Sequence, residues 1–285
     1  MFYRRMDNPR TLYLELLKKT LTNSIYGDPY LPVGMTAQTS ASPGNALRNC
    51  LRKAALSLLD KTPYAIVRKN MSTPQERTEG RNWPSAAHTM IGIKRLNNIQ
   101  ACVERVLSEG IPGDLIEAGT WRGGATIFMR GMLKAHGVED RLVWVADSFA
   151  GLPPPDPRYP VDSGINLHAF PYLQVSLEQV QANFQAYGLL DEQVRFLKGF
   201  FSETLPGAPI QRLALIRFDG DMYGSAMDVL KNLYHKLSPG GCMIIDDYGS
   251  IPACKQAVDD FRAQKGIRDE IKTVDWSGVF WRKSA

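Results

Sequence analysis

From Asp114 onward, short apolar runs alternate with segments of helical length, and this alternation leaves few possible folds. "DLIEAG" (114–119), "RLVWVAD" (141–147), "VRFLKG" (194–199), "LALIRFDGD" (213–221) and "CMIIDD" (242–247) have the length and content of buried strands. Helices are predicted between them: Gly123 to His136, Ser176 to about Gly188 with a Ser176/Gln179 capping box, about Gly224 to Leu237, and Pro252 to Gly266. Such alternation builds a mostly parallel sheet covered by helices on both faces. The chain then ends in "IKTVDW" and "GVFWRK", two strands joined by a tight turn and therefore antiparallel. Ligands of open parallel sheets sit at the carboxyl ends of the strands, beside the reversal in strand order.

The front of the chain, residues 1–110, reads as helices and loops that cap the sheet domain of residues 111–285. Asp7-Asn8-Pro9 starts a helix carrying Leu12, Leu16, Leu17 and Leu21. Residues 27–43 read as loop, Asn45 to Leu59 as a helix, and Ser72 to Pro84 as another loop. A longer helix is predicted from Thr89 to Glu109, with Gly110 as its stop.

Composition is that of an ordinary globular protein, with 44% apolar and 22% charged residues. No run approaches the roughly 18 apolar residues of a membrane span, and the start lacks a signal-peptide pattern. Cys50, Cys102, Cys242 and Cys254 show no C-x-x-C pairing, so they are expected to be reduced, in a cytoplasmic protein. Residues 1–110 carry 16 Lys and Arg against 8 Asp and Glu, and the remainder 18 against 21. With no nucleic-acid motif in that basic half, solvated helix faces are the reading, and neither nucleic acid nor membrane is an expected partner.

The turn Glu117-Ala118-Gly119-Thr120-Trp121-Arg122-Gly123-Gly124 follows the first strand and opens a helix. It departs from G-x-G-x-x-G, the spacing that suits a pyrophosphate. Instead, E-x-G-x-x-x-G resembles the first motif of class I methyltransferases that use S-adenosylmethionine (SAM). There the acid handles the cofactor's amino-acid end, and the glycines let the sugar and the helix terminus come close. Asp147 ends the second strand, where one carboxylate can accept both ribose hydroxyls. Gly199, Phe200 and Phe201 follow the third strand, where either ring can stack on a base or simply belong to the core.

Asp219 and Asp221 end the fourth strand, and Asp246 and Asp247 the fifth. Neighbouring strands lie about 4.8 Å apart, so these carboxylates are expected around one point. Such a cluster holds a cation or retains protons. Oxygen-only ligands without His or Cys select a hard ion, Mg²⁺ first. The ion would favour the ionised form of an acceptor hydroxyl and fix its direction. The proton acceptor stays open among Asp221, Asp219, a hydroxide and His168.

"RTLYLELLKKTLTNSIYGD", "AHTMIGIKRLNNI", "DLIEAGTWRGGATIFMRG", "ADSFAGLP", "FDGDMYGSAMDVLKNLYHKLSPGG" and "IIDDYG" together resemble the macrocin O-methyltransferase family. The likeness covers nearly the whole chain. It implies a class I, Rossmann-like α/β fold with a seven-stranded sheet, a terminal antiparallel strand and an N-terminal helical cap. It also implies SAM- and Mg²⁺-dependent methylation of a sugar hydroxyl on an antibiotic glycoside. The expected acceptor is the 4-hydroxyl of noviose in an aminocoumarin, with a macrolide deoxysugar as the alternative. The implied metal ligands are Asp219, Asp246 and Asp247. The implied donor shell runs through Thr89, Met90, Glu117, Ala118, Gly119, Thr120, Trp121, Gly124, Asp147, Ser148, Gly199, Phe200, Phe201 and Asp219. Thr89 and Met90 would open the helix over the methionine end. Some sugar-methylating relatives have a histidine base three residues beyond the first metal aspartate, where this chain has Met222. Asp219 and Asp221 are therefore the candidate catalytic acids. The family also implies a homo-oligomer, a dimer first, and the Pro-rich stretch around Gly151 to Pro171, with residues 27–43, is the expected lid over a large acceptor. An NAD-dependent oxidoreductase and a non-catalytic scaffold on the same sheet remain the competing readings.

Overall fold

A computed structural model describes residues 8–33 and 62–284 of the chain. The helix predicted at 45–59, most of the 27–43 loop, and Cys50 lie outside the described residues. The helices are α1 (Pro9–Leu21), α2 (Pro74–Glu79), α3 (Ile93–Ser108), α4 (Gly124–Ala135), α5 (Leu177–Ala186), α6 (Phe201–Thr204), α7 (Tyr223–Leu233) and α8 (Pro252–Lys265). The strands are β1 (Tyr30–Pro32), β2 (Val67–Lys69), β3 (Asp114–Ala118), β4 (Val143–Asp147), β5 (Val194–Lys198), β6 (Leu213–Phe218), β7 (Leu237–Ile245), β8 (Lys272–Thr273) and β9 (Val279–Arg282).

Seven of the strands form one sheet in the order β5-β4-β3-β6-β7-β9-β8. β3 to β7 pair in parallel, and β9 runs antiparallel to both β7 and β8. This is the class I methyltransferase arrangement expected from the alternating segments and the terminal hairpin. The chain enters at β3, steps outward to β5, and returns to β6 on the other side of β3. The order therefore reverses between β3 and β4 on one side and β6 on the other. Loops leaving the carboxyl ends of β3 and β6 diverge there and open a crevice.

Successive strand residues face opposite sides, so each strand feeds two cores. Leu115, Val145 and Leu215 join Leu14, Leu17, Leu96, Ile99, Phe128 and Phe184 on one face. Ile116, Ala146 and Ile216 join Leu230, Phe261 and Trp281 on the other. α1 and α3, from the basic front of the chain, thus pack directly into one of the sheet's own cores. Cys102, Cys242 and Cys254 are buried and unpaired, as expected of reduced structural thiols.

Several boundaries differ from expectation. The 72–84 loop contains α2, whose capping box pairs Thr73 with Glu76, with Pro74 in the first turn and Gly80 at φ 65 as its stop. The long front helix begins at Ile93, not Thr89, because Gly92 packs against the end of α2. A Cβ on Gly92 would lie 2.1 Å from the Thr78 carbonyl oxygen. At α5 only half of the capping box forms: the Ser176 hydroxyl accepts from the Gln179 amide, while the Gln179 side chain bonds Asn183 instead. "SPGG" belongs to β7 rather than to a turn before it. The short β1–β2 pair is an addition to the elements read from the sequence.

Candidate active site

A cavity of about 490 Å³ opens at the carboxyl ends of the strands. Of the residues expected to serve the donor, Met90, Gly119, Trp121, Asp147, Ser148, Phe200, Phe201 and Asp219 line it, together with Asp221. The segment from Gly151 to Tyr159 supplies one wall. Its far end is fastened by Asp162, whose buried carboxylate accepts from the Tyr223 and Gly224 amides at 2.8 and 3.0 Å and so caps α7.

The glycine turn is folded around Asp147. One oxygen of this carboxylate accepts from the Thr120 and Trp121 amides at 2.7 and 3.3 Å, and the other from the Phe149 amide at 2.8 Å. Burial pushes the carboxyl up, and these amides draw it back in part. Asp147 is therefore both the cap of the turn and a face of the cavity. Gly199 donates its amide to the Asp147 carbonyl, which continues the β4–β5 ladder beyond the strands. Gly119, at φ 90, lets β3 and β6 converge: a Cβ there would sit 1.7 Å from the Asp219 carbonyl oxygen. Trp121, Phe149 and Asp221 also hold positive φ, at 48°, 54° and 60°. Strained backbone at non-glycine positions gathers at functional sites.

Two of the expected donor contacts take other partners. Both oxygens of the buried Glu117 are engaged inside the protein, one by Arg217 and one by the Thr126 hydroxyl. Burial pushes Glu117 up to about 7 even though Arg217 opposes it. Gly124 gives its amide to the His88 carbonyl at 2.9 Å, and a Cβ there would stand 2.3 Å from that same oxygen. Its lack of a side chain makes room for the 88–89 segment rather than for a ligand. Thr89, Ala118 and Thr120 are buried behind the lining. Thr89 and Met90 belong to an irregular segment before α3, not to its first turn.

The carboxylates converge as their spacing predicts. Asp219, Asp246 and Asp247 each present an oxygen within 4.8 Å of the others. Asp221 stands beside them in a tight reversal, with the Met222 amide bonded to the Gly220 carbonyl at 2.6 Å. This is the strained three-residue turn with a positive φ at its centre. Its amide donates to Asp247 at 3.3 Å. Burial, then Asp219 and Asp246, push the Asp221 carboxyl up to about 7. Burial and the neighbouring Asp221 and Asp219 raise Asp247 well above the carboxylate range.

Two buried arginines complete the cluster, and the motif reading did not include them. Arg217 donates to Glu117, to Asp219 at 2.8 Å and to Asp246 at 2.6 Å. Arg95 donates to Asp246 and, at 2.9 Å, to Asp275. Burial works to raise Asp246, yet Arg217 and Arg95 hold it below the usual range. The signal was present: Arg217 interrupts the otherwise apolar "LALIRF", and Arg95 lies on the buried stripe of α3 beside Leu96 and Ile99. Two guanidinium groups face Glu117, Asp219, Asp246, Asp247 and Asp275, and Asp221 adds a further carboxyl without an arginine partner among the described residues. Negative charge remains in excess, so the set still suits a hard cation or retained protons.

Of the possible proton acceptors, His168 lies on a single 3₁₀ turn (Leu167–Ala169) outside the cavity lining. Met222, where some relatives have histidine, is buried and offers no basic atom. Asp221 lines the cavity and is not one of the three clustered ligand candidates.

The macrocin O-methyltransferase (TylF) family model matches residues 10–283. The 8-demethyl-8-(2,3-dimethoxy-alpha-L-rhamnosyl)-tetracenomycin-C 4'-O-methyltransferase of Streptomyces olivaceus is 50% identical over 281 residues, 98% of this chain and 95% of the relative. Mycinamicin III 3''-O-methyltransferase of Micromonospora griseorubida is 49% identical, over 96% of this chain and 97% of its own. Demethyldecarbamoylnovobiocin O-methyltransferase of Streptomyces niveus is 47% identical, over 98% and 95%. Among solved structures, the O-methyltransferase NovP superposes with a TM-score of 0.81 at 46% identity, covering 97% of this chain and all of NovP. With its seven-stranded sheet, its cavity at the switch point and this match along almost its full length, the chain belongs to the macrocin O-methyltransferase (TylF) family.

Proposed function

We propose that this O-methyltransferase moves the methyl group of SAM to a sugar hydroxyl of an antibiotic glycoside with the help of Mg²⁺. The acceptor we favour is the 4-hydroxyl of the noviose of a novobiocin-type aminocoumarin. The observation that carries the reading is the meeting of the Gly119 turn, Asp147 and the Asp219–Asp246–Asp247 cluster at one switch point. Met90 and Gly119 border the methionine end of the donor, Asp147 faces the ribose, and Phe200 or Phe201 lies against the adenine. Asp219 and Asp247 have oxygens free of arginine, and Asp246 would share its own with Arg95 and Arg217.

A hard divalent ion supplies positive charge that favours the ionised acceptor hydroxyl and fixes its direction. Asp221, raised to about 7, accepts the hydroxyl proton across the cavity. Convergence of donor and acceptor sites on one crevice provides the proximity for in-line transfer. The wall from Gly151 to Tyr159 closes over the acceptor, and residues 1–110 act as cap to the catalytic sheet. The apolar outer face of α1, where Leu12 and Leu16 are more than half exposed, supports a homodimer. Among the described residues no helix is long and apolar enough to cross a membrane, which accords with a cytoplasmic enzyme.

The relative named for mycinamicin keeps a macrolide deoxysugar as the second acceptor. Mass spectrometry after incubating each demethyl glycoside with SAM and Mg²⁺ decides between them. One added CH₂ on the noviose 4-hydroxyl supports the first, and methylation of the macrolide sugar alone the second. Methylation of neither, nor of a demethylated rhamnosyl-tetracenomycin, overturns the glycoside reading.

A further inference from the structure

Residues 84–91 run as an irregular segment between α2 and α3, and Ala87, Thr89 and Ile91 within it are buried. Buried irregular backbone has no helix or ladder to pair its carbonyls, so they need other donors. Here side chains take up most of them. Tyr172 donates its hydroxyl to the Pro84 carbonyl. Arg122 donates to those of Ser85 and Ala87 at 2.9 and 2.8 Å. The Gly124 amide takes His88. Arg77 takes the next three: Met90 at 3.0 Å, Thr89 at 3.1 Å and Ile91 at 2.6 Å. Its remaining donors go to the Thr22 carbonyl and the Asn82 side chain at 3.2 and 3.3 Å. All five N–H groups of the guanidinium therefore have acceptors. The segment they hold brings Met90 to the cavity beside Gly119.

We propose that Arg77 is a positioning residue for the donor: it fixes the 84–91 strap so that Met90 closes the methionine end of the SAM site. This rests on the SAM reading given above. Lysine offers three N–H groups from a single point and cannot reproduce a five-acceptor fan. An ordinary packing arginine would affect stability without selecting one substrate. Arg77 touches neither the carboxylate cluster nor the 151–159 wall, so the defect should fall on the donor alone.

The test is calorimetric titration with SAM, with steady-state kinetics and melting curves, on the parent, Arg77→Lys and Met90→Ala. For Arg77→Lys we expect the SAM Kd and KM to rise about tenfold or more. Its kcat at saturating SAM and its acceptor KM should stay near the parent values. Met90→Ala leaves every strap hydrogen bond in place and should weaken SAM without lowering the melting temperature. Unaltered SAM affinity in a folded Arg77→Lys protein overturns the proposal. If Arg77→Lys does not fold, unaltered affinity in Met90→Ala overturns it. Failure of the parent itself to bind SAM would instead defeat the underlying functional reading.

Discussion

Replacing Gly119 by alanine probes the join between the fold and its chemistry. Gly119 lies at φ 90, where a side chain costs about 1–3 kcal/mol in backbone strain. The new Cβ would lie 1.7 Å from the Asp219 carbonyl oxygen and 2.7 Å from its carbon. Both obstacles are main chain, so no side-chain rotation relieves them, and β3 and β6 must part by roughly 1 Å. Overpacking of this kind costs about 1–3 kcal/mol, which brings the total to about 2–6 kcal/mol. A domain is stable by about 5–15 kcal/mol, so Gly119→Ala should fold but unfold much earlier in urea. The same parting carries Asp219 away from Asp246 and Asp247, and a displacement near 1 Å can lower turnover about 100-fold. Gly207→Ala is the control, since that glycine has no strained φ and nothing within 4 Å of a Cβ. Paired urea titrations and initial rates measure both effects. A Gly119→Ala protein as stable and active as Gly207→Ala would refute the close-approach argument.

Three further perturbations follow from the same geometry. Arg217→Met leaves Glu117 and Asp246 buried without their main counter-charge and should cost about 3–5 kcal/mol in chemical unfolding; a loss below about 1 kcal/mol would show that the cluster is neutralised by protons alone. Asp221→Asn should gain stability relative to the parent as pH rises from about 4 to about 7 in chelator. The parent's Asp221, raised to about 7, stabilises the fold fully below the unfolded carboxyl range and loses that contribution as pH climbs through the raised value. Melting curves at several pH values check this, and a pH-independent difference would contradict it. Asp162→Ala removes the cap of α7 and frees the end of the Pro-rich wall, which should cost about 0.5–2 kcal/mol. It should also raise the acceptor KM more than the SAM KM, and the reverse order would deny the wall its place over the acceptor.

The sheet was legible because its strands are short, apolar and evenly separated, so buried parallel pairing leaves a direct mark on sequence. The strand-end acids were legible for a related reason: position at a carboxyl terminus follows from strand boundaries alone. α2 escaped although "TPQERTEG" contains its capping box, first-turn proline and stop glycine. Six residues with no buried side chain give no apolar periodicity to detect. The fates of Glu117 and Gly124 were hidden because their partners are distant. Arg217 is 100 residues from Glu117, and His88 approaches α4 from the front of the chain. Local spacing says that a glycine is needed at 124, but not whether ligand or backbone fills the room. Arg77 and Arg95 were counted as charge on solvated faces, and what distinguishes them is their distant partners, which charge counting does not register: backbone carbonyls for Arg77 and the buried Asp246 for Arg95.

The proposed function depends on a divalent cation that Asp219, Asp246 and Asp247 would hold. Magnesium titration of chelator-treated protein, with methyl transfer followed in the same samples, tests it most directly. Parent protein should be inactive in chelator and recover with saturable Mg²⁺, while Asp246→Asn recovers little at any concentration. Full turnover by the parent in chelator, with no heat of Mg²⁺ binding, would contradict the account.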